Sequence, residues 1–174
     1  LDCDAPDFIV KGGTLWDGQT LHHLYQQAYT PWEWHEAIFE EAKKCDLICF
    51  STPFDKTAVD LLESLGNPIY KIASFEITDV NLIRYAASKM KPIVISTGIA
   101  TQEDIELAIQ TCKESGNNDI TLLHCVSAYP APIENVNLRR MTDMKERYGV
   151  KVGLSDHTTG SDVAVAAVAL GASM

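Results

Sequence analysis

The feature that most constrains this chain is a repeated alternation of a short apolar run with a longer amphipathic segment. Five runs lack the polar alternation of a half-exposed strand, which is typical of strands buried on both faces. Strict alternation with short connections predicts a parallel sheet whose strands are joined by helical crossovers. The runs are DLICFST (46–52), IYKIASF (69–75), PIVISTG (92–98), ITLLHCV (120–126) and VKVGLSD (150–156).

Helical periodicity follows each predicted strand, and a glycine ends most of the helices. An earlier helix is predicted from Pro31 to about Lys44, with Thr30 as its N-cap and Glu33 completing a capping box. We expect residues 1–30 to form a loop insertion before that helix. The later helices are predicted at about 55–65, 79–90, 102–115, 137–148 and 161–170.

Five strand–helix units fit either a doubly wound open sheet or part of a (β/α)8 barrel. A full barrel needs about 250 residues, and this chain has 174. No GxGxxG motif follows any strand, which disfavours the dinucleotide-binding fold. The sequence opens in a loop and ends just after a helix, where another strand is expected. We therefore predict an α/β fold, an incomplete TIM barrel over residues 31–174.

Composition excludes several classes of function. The chain carries 24 acidic against 14 basic side chains, a net charge of −10, without a basic stripe, so nucleic acid is not an expected partner. No apolar run approaches the roughly 20 residues that span a bilayer, and no signal peptide opens the chain. Five scattered cysteines without a CxxC motif indicate reduced thiols, so we expect a cytoplasmic protein: Cys3, Cys45, Cys49, Cys112 and Cys125.

Every predicted strand ends in a hydroxyl side chain. Ligands bind at the carboxyl ends of parallel strands in barrels and in open sheets alike. A single serine there is usually a turn or cap residue, but five in five strands indicate a shared site for an oxyanion such as a phosphate with a carboxylate. These ends are Ser51-Thr52, Ser74-Phe75-Glu76, Ser96-Thr97-Gly98, Ser127-Ala128-Tyr129 and Ser155-Asp156-His157.

Lys71 stands inside an otherwise apolar strand. A buried ammonium needs a partner or a lowered pKa. Three interpretations are open: an ion pair with a carboxylate, a Schiff-base lysine as in an aldolase, or a cation that holds a bound anion. The surrounding hydroxyls favour the third.

His157 is the best metal-ligand candidate, because it follows Ser155 and Asp156 at the mouth of the last strand. One histidine does not make a metal site, so a second ligand has to come from another segment. We interpret His124, inside its strand, as structural or as a support behind the site.

Taken in order, the motifs STPFD, YKIASFE, ISTGIAT, LLHCVSAYPAP and GLSDHT resemble the sialic acid synthase family, over nearly the whole chain from residue 46. The segment GGTLWDGQTLHHLYQQAYTPWEWH is similar to the pseudaminic acid synthase branch. The resemblance implies a (β/α)8 barrel, of which this chain holds strands three to seven. The family's small C-terminal antifreeze-like domain is absent from this sequence.

The resemblance also implies a reaction. Phosphoenolpyruvate, 2,4-diacetamido-2,4,6-trideoxy-β-L-altropyranose and water would give pseudaminate and phosphate, with a divalent metal, Mn²⁺ or Mg²⁺. The family tends to form homodimers. The alternatives are a synthase of neuraminate or legionaminate, a Schiff-base aldolase that uses Lys71, or an inactive barrel fragment.

Family roles transfer to matching positions of this sequence. Glu76 matches a residue that contacts the sugar, Tyr129 one that lies between the two substrates, and His157 one of two histidine metal ligands. Ser127 is a departure, since neuraminate synthases have Asn there. The other metal histidine is expected beyond Met174 and the first-strand residues before Leu1. The positions that match phosphoenolpyruvate ligands are Thr52, Lys71, Ser74, Ser96 and Ser155.

The stretch KGGTLWDG, residues 11–18, is a loop shaped by Gly12, Gly13 and Gly18. Either its aromatic residues pin a long insertion to the barrel, or Trp16 and Asp17 face the sugar. The second interpretation makes this loop a marker of which sugar is used.

Overall fold

The computed structural model describes residues 5–12 and 16–174, which form two compact units that divide between Cys45 and Asp46. In the first unit, Ile9 pairs with Thr20 in an antiparallel bridge. The elements of this unit are a short 3-10 helix, Pro6–Phe8, and the helices α1, Leu21–Ala28, and α2, Trp34–Lys44.

Helix α1 lies within the segment that we expected to be a loop insertion, residues 1–30. The Thr20 hydroxyl caps it by accepting a hydrogen bond from the His23 N–H group at 3.2 Å. The predicted N-cap at Thr30 is wrong. Instead, the Pro31 carbonyl closes a turn by accepting from the Trp34 N–H group at 3.1 Å, so α2 begins three residues later.

The second unit is built on a four-stranded parallel sheet in the order β1-β2-β3-β4. Register places Lys71, Val94, Thr121 and Lys151 in one row across the sheet. The strands are β1, Tyr70–Ile72; β2, Ile93–Ser96; β3, Ile120–Cys125; and β4, Lys151–Ser155.

A helix follows each strand, as the periodicity predicts, and the incomplete α/β barrel is confirmed. Glycine ends the helix before β4 as expected, because Gly149 takes the left-handed conformation at φ 64°. The helices of this unit are α3, Lys56–Ser64; α4, Val80–Ala87; α5, Gln102–Glu114; α6, Arg139–Tyr148; and α7, Asp162–Ala169.

One predicted strand does not form. Residues 47–53 form no strand within the described part of the chain, and Ile48 is 77% exposed. The Ser51 N–H group donates to the Asn67 side chain at 3.2 Å instead of to a neighbouring strand. The apolar pattern of DLICFST therefore does not lead to a buried strand in the described structure.

The two faces of the sheet have different roles. Tyr70 faces α3, where its hydroxyl donates to Glu63 at 2.6 Å. Tyr70 and the strand residues that point to the same face therefore form the core beneath the helices. Because strand side chains alternate between faces, the other face carries Lys71, Ser96 and Cys125. In a barrel, this second face is the interior.

The edge of β4 carries further pairing. The Ser173 N–H group donates to the Val152 carbonyl at 2.8 Å, and the Leu154 N–H group to the Met174 carbonyl at 2.9 Å. The chain thus returns to the sheet beside β4, where the sequence predicts another strand.

Within the described ranges, none of the helices is long and apolar enough to cross a membrane. Cys45, Cys49, Cys112 and Cys125 are free thiols, and Cys3 lies outside the described residues.

Candidate active site

Hydroxyl groups from neighbouring strands meet at the carboxyl edge of the sheet. Ser74, just after β1, accepts a hydrogen bond from the Ile99 N–H group at 3.0 Å and a longer one from the Ser127 hydroxyl at 3.5 Å. With both acceptor positions used, the Ser74 hydroxyl proton is left to donate to a ligand. Three of the predicted loops therefore contribute to one cluster.

Gly98 makes this cluster possible. A Cβ atom on this residue would lie 2.2 Å from the Ser127 Oγ and 3.0 Å from the Ser74 Oγ, so no other residue leaves the hydroxyls in place. From the sequence, we placed Gly98 at the strand end but predicted no role for it. The available signal was its position directly after Ser96 and Thr97.

Ser96 lies deeper on the interior face, at the end of β2. It is 1% exposed, and its Oγ has no hydrogen-bond partner among the described residues. A buried hydroxyl without a partner costs free energy, so this atom fits a ligand that is bound in the barrel interior.

Lys71 and Glu76 bring opposite charges to the same edge. Burial lowers the pKa of Lys71, while the nearby Cys125 and Glu76 oppose this shift. Burial raises the pKa of Glu76, and Lys71 partly opposes that shift. In the described part of the chain, Lys71 makes no ion pair and the Glu76 Oε2 no hydrogen bond. The ion-pair interpretation of Lys71 is therefore not supported, and both groups are available to a substrate.

His157 is held with one nitrogen free. Its Nδ1 lies 2.9 Å from the Val126 carbonyl, and because a carbonyl only accepts, Nδ1 carries the proton. The lone pair of Nε2 is then left for a metal, as in metal-binding histidines that donate their other N–H to a carbonyl. His157 thus fits the role of one ligand, although the described residues contain no group of three side chains suited to hold a metal.

Two neighbours of His157 complete this side of the site. The ring of Tyr129, 74% exposed, lies 4.4 Å from the imidazole, centroid to centroid. The Cys125 Sγ lies 3.8 Å from the His157 Nδ1 and 3.9 Å from the Ser127 Oγ. We expected Cys125 to be a reduced thiol, and no pattern in the sequence placed that thiol beside the hydroxyls.

The remaining candidates are more loosely connected. Ser155 is the register partner of Cys125 and is half-buried at the end of β4. Thr52 is half-buried in residues 47–53, which pair with no strand, and no hydrogen bond joins it to Ser74 or Ser127 in the described residues. Their proposed contacts with a ligand stay predictions.

The loop KGGTLWDG belongs to the first unit. Val10 closes its base by donating to the Gln19 carbonyl at 2.9 Å and accepting from the Gly18 N–H group at 3.1 Å. Gly18 has φ 86°, which favours glycine. Asp17 accepts from the Gly12 N–H group at 3.4 Å, and Gly13 lies outside the described residues. A sugar contact by Trp16 or Asp17 stays a prediction.

Comparison with known proteins identifies the family to which these motifs belong. The model of the NeuB family matches residues 2–174. The chain belongs to the NeuB family. Pseudaminic acid synthase from Helicobacter pylori is 56% identical to this NeuB-family chain over 174 residues, which is all of the chain and 51% of that protein. Pseudaminic acid synthase from Campylobacter jejuni is 48% identical over 172 residues, 99% of the chain and 50% of that protein.

A solved structure supports the same fold. N-acetylneuraminic acid synthetase from Leptospira borgpetersenii aligns with a TM-score of 0.83 and 32% identity, over 87% of this NeuB-family chain and 53% of that chain. The resemblance to sialic acid synthases is therefore confirmed, and the relatives favour the pseudaminic acid branch. The chain spans about half the length of the curated relatives that it matches.

Proposed function

We propose that this chain carries the phosphoenolpyruvate site of a pseudaminic acid synthase, a carbon–carbon bond-forming transferase. The reaction joins phosphoenolpyruvate, 2,4-diacetamido-2,4,6-trideoxy-β-L-altropyranose and water to give pseudaminate and phosphate. The names and the 56% and 48% identities of the two curated relatives support this choice of sugar.

The observation that carries the proposal is the set of unused donors at the carboxyl edge. Lys71 has no ion pair among the described residues, the Ser96 hydroxyl no partner, and the Ser74 hydroxyl a proton left to donate. Phosphoenolpyruvate has a phosphate and a carboxylate, which are the groups that such donors hold. Thr52, Ser127 and Ser155 are further candidate ligands from neighbouring strand ends.

The reaction needs a bound nucleophile, the enol carbon of phosphoenolpyruvate, positioned next to the electrophilic aldehyde carbon of the sugar. The enol carbon of phosphoenolpyruvate attacks the aldehyde carbon of the open sugar, water adds to the C2 cation, and phosphate leaves by C–O cleavage. Fixed donors around the anion favour this step because they need no rearrangement during the reaction. Glu76, whose pKa is raised by burial, suits proton exchange with the sugar oxygen.

Tyr129 and His157 define the sugar side in this proposal. Tyr129 would lie between the two substrates, and Trp16 with Asp17 would contact the sugar. A divalent cation, Mn²⁺ or Mg²⁺, bound by the His157 Nε2 and a second ligand would supply a Lewis acid for the sugar carbonyl.

We propose a cytoplasmic enzyme, in keeping with the free thiols, that acts on small molecules, with no nucleic-acid or membrane partner. We also propose a homodimer for the full-length protein.

The test of the sugar is phosphate release by the full-length protein with phosphoenolpyruvate and a panel of sugars. We expect kcat/KM for the altropyranose substrate to be about 100-fold or more above kcat/KM for the amino sugars that lead to neuraminate and legionaminate. The reason is that a wrong sugar leaves polar groups of the site unpaired, which produces ratios of this size. A higher kcat/KM with either other sugar would assign the chain to a sister synthase.

Borohydride in the presence of pyruvate should trap no adduct, and a trapped Lys71 adduct would favour the aldolase.

The test of the anion site is Lys71→Met. A charge-assisted contact contributes about 1.5–3 kcal/mol, so KM for phosphoenolpyruvate should rise about 10- to 100-fold. Lys151→Met is the matched control, because Lys151 lies in the same row of the sheet but is exposed and paired with Asp119. An unchanged KM in Lys71→Met would contradict the role of Lys71.

A further inference from the structure

The loop that follows β3 is held at three points, and we call residues 126–136 the β3 loop. It carries Ser127 and Tyr129, two of the candidate site residues. Its far end is held by His124, whose Nε2 lies 2.6 Å from the Val136 carbonyl. Since the carbonyl can only accept, Nε2 is the protonated nitrogen.

His124 lies behind the site. It alternates with Cys125 along β3, so it points to the helix side of the sheet while Cys125 points to the interior. Its side chain is buried at 5% exposure. We therefore expect its effect on the reaction to pass through the β3 loop.

The middle and the start of the β3 loop are joined to His157. The Ala131 N–H group donates to the His157 carbonyl at 2.8 Å, and the Val126 carbonyl accepts from the His157 Nδ1 at 2.9 Å. Tyr129 lies between these two contacts in the chain and places its ring against the imidazole. The loop and His157 thus fix each other.

His124 and His157 also line one small cavity. Val126, Ala131 and Val136 line the same cavity. Each of these three residues makes one of the backbone contacts that hold the β3 loop. Loss of the His124 contact would release the Val136 carbonyl, which holds the end of the β3 loop five residues after Ala131.

We propose that His124 is a positioning residue, which fixes Tyr129 and His157 relative to each other through the Val136 carbonyl and the β3 loop. The consequence for catalysis rests on the proposed function, in which Tyr129 and His157 serve the sugar side. Lys71 and Ser96 lie on strands β1 and β2, away from this loop, and of the proposed phosphoenolpyruvate ligands only Ser127 lies on it. His124 should therefore affect the sugar more than phosphoenolpyruvate.

Two substitutions separate the hydrogen bond from the packing. His124→Leu keeps an apolar side chain of similar size and removes the donor. His124→Gln places an amide N–H close to the position of the imidazole Nε2 and should restore the contact. The matched control is Asn117→Ala near the other end of β3, because the buried Asn117 amide also donates to a backbone carbonyl, that of Lys91, at 2.7 Å.

The first measurement needs no turnover. In the full-length protein, hydrogen exchange by mass spectrometry can isolate the Ala131 amide, because Pro130 and Pro132 carry none. In His124→Leu, we expect exchange at Ala131 to be about tenfold faster, the effect of one lost buried hydrogen bond on local opening. His124→Gln should restore the slow exchange, and Asn117→Ala should leave it unchanged.

The second measurement is steady-state kinetics. His124→Leu should lower kcat/KM for the sugar about 10- to 100-fold, the range found when a group that supports a ligand is removed. KM for phosphoenolpyruvate should change less than kcat/KM for the sugar, because Lys71 and Ser96 on β1 and β2 are untouched and only Ser127 lies on the β3 loop.

The outcomes separate this inference from the proposed function. Unchanged Ala131 exchange in His124→Leu, or equal acceleration in Asn117→Ala, would overturn the positioning role whatever the enzyme does. Faster exchange with an equal loss for both substrates would overturn the larger effect on the sugar. A protein that uses none of the sugars would refute the proposed function, while the Ala131 exchange would still decide the role of His124.

Discussion

Glu76, to which we assign a proposed role in proton exchange, has a cost in stability at neutral pH. Its carboxylate has a buried oxygen without a partner in the described structure, and burial raises its pKa above the ordinary value of 4.5. The folded protein therefore binds a proton more readily at this site than the unfolded chain does. Stability from this group is present below pH 4.5 and is lost as the pH rises through the folded pKa.

The substitution Glu76→Gln should remove this dependence on pH. Glutamine cannot ionise, so we expect the variant to have a higher Tm than the wild type at neutral pH, with the difference closing as the pH falls toward 4.5. Thermal melts across this range check the result, and activity should fall because the carboxylate is lost. A wild type that is more stable than Glu76→Gln at neutral pH would mean that Lys71 outweighs burial.

Among single residues, those with unusual chemistry could be predicted from the sequence. Lys71 inside an apolar strand and His157 after a strand end stand out by residue type alone. Two participants in the hydroxyl cluster could not be found in this way. The Ile99 donor is a backbone N–H that every non-proline residue has, and Gly98 acts by lacking a side chain. The role of each depends on what packs against it.

At the scale of elements, the predicted strands form where an apolar run also has a neighbouring strand to pair with. Four of the five predicted strands form, and each of these has a paired neighbour. DLICFST has the same apolar pattern, but in the described part of the chain no strand pairs with it, so it forms no strand and Leu47 and Ile48 are exposed. TPWE has the residues of a capping box, yet the turn at Pro31 takes precedence over the earlier helix start.

The turn between β2 and α5 is the element that brings the hydroxyls together. Gly98→Ala would place a Cβ 2.2 Å from the Ser127 Oγ, so the Ser127 hydroxyl or the turn must shift. Such overpacking typically costs about 1–3 kcal/mol. We expect a lower Tm and a KM for phosphoenolpyruvate raised about tenfold or more, because Ser74 loses its alignment with the Ile99 N–H.

A second substitution tests whether this clash is the cause. Ser127→Ala removes the closest atom, so the double variant Gly98→Ala/Ser127→Ala should recover part of the Tm and of the affinity for phosphoenolpyruvate that Gly98→Ala loses. Strictly additive effects of the two changes would show that the Ser127 contact does not set the conformation of the turn.

At the scale of the molecule, the partial barrel leaves apolar surface uncovered. Ile48 is exposed within residues 47–53, and Val165 and Val168 are exposed on α7. The side of β1 away from β2 pairs with no other strand in the described residues. Unpaired sheet edges and exposed apolar patches favour association between chains. A net charge of −10 opposes association through repulsion between the molecules.

These opposing effects predict how a polypeptide of these 174 residues behaves by itself. Sedimentation velocity should show self-association that increases with protein concentration and with salt, since salt screens the repulsion. Val165→Lys/Val168→Lys should weaken it, because two charges replace exposed apolar side chains on α7. The control Gln110→Lys/Asn118→Lys makes the same change in net charge at exposed positions elsewhere and should have little effect. A monomer at all concentrations, or equal weakening in both variants, would show that the apolar face of α7 does not drive association.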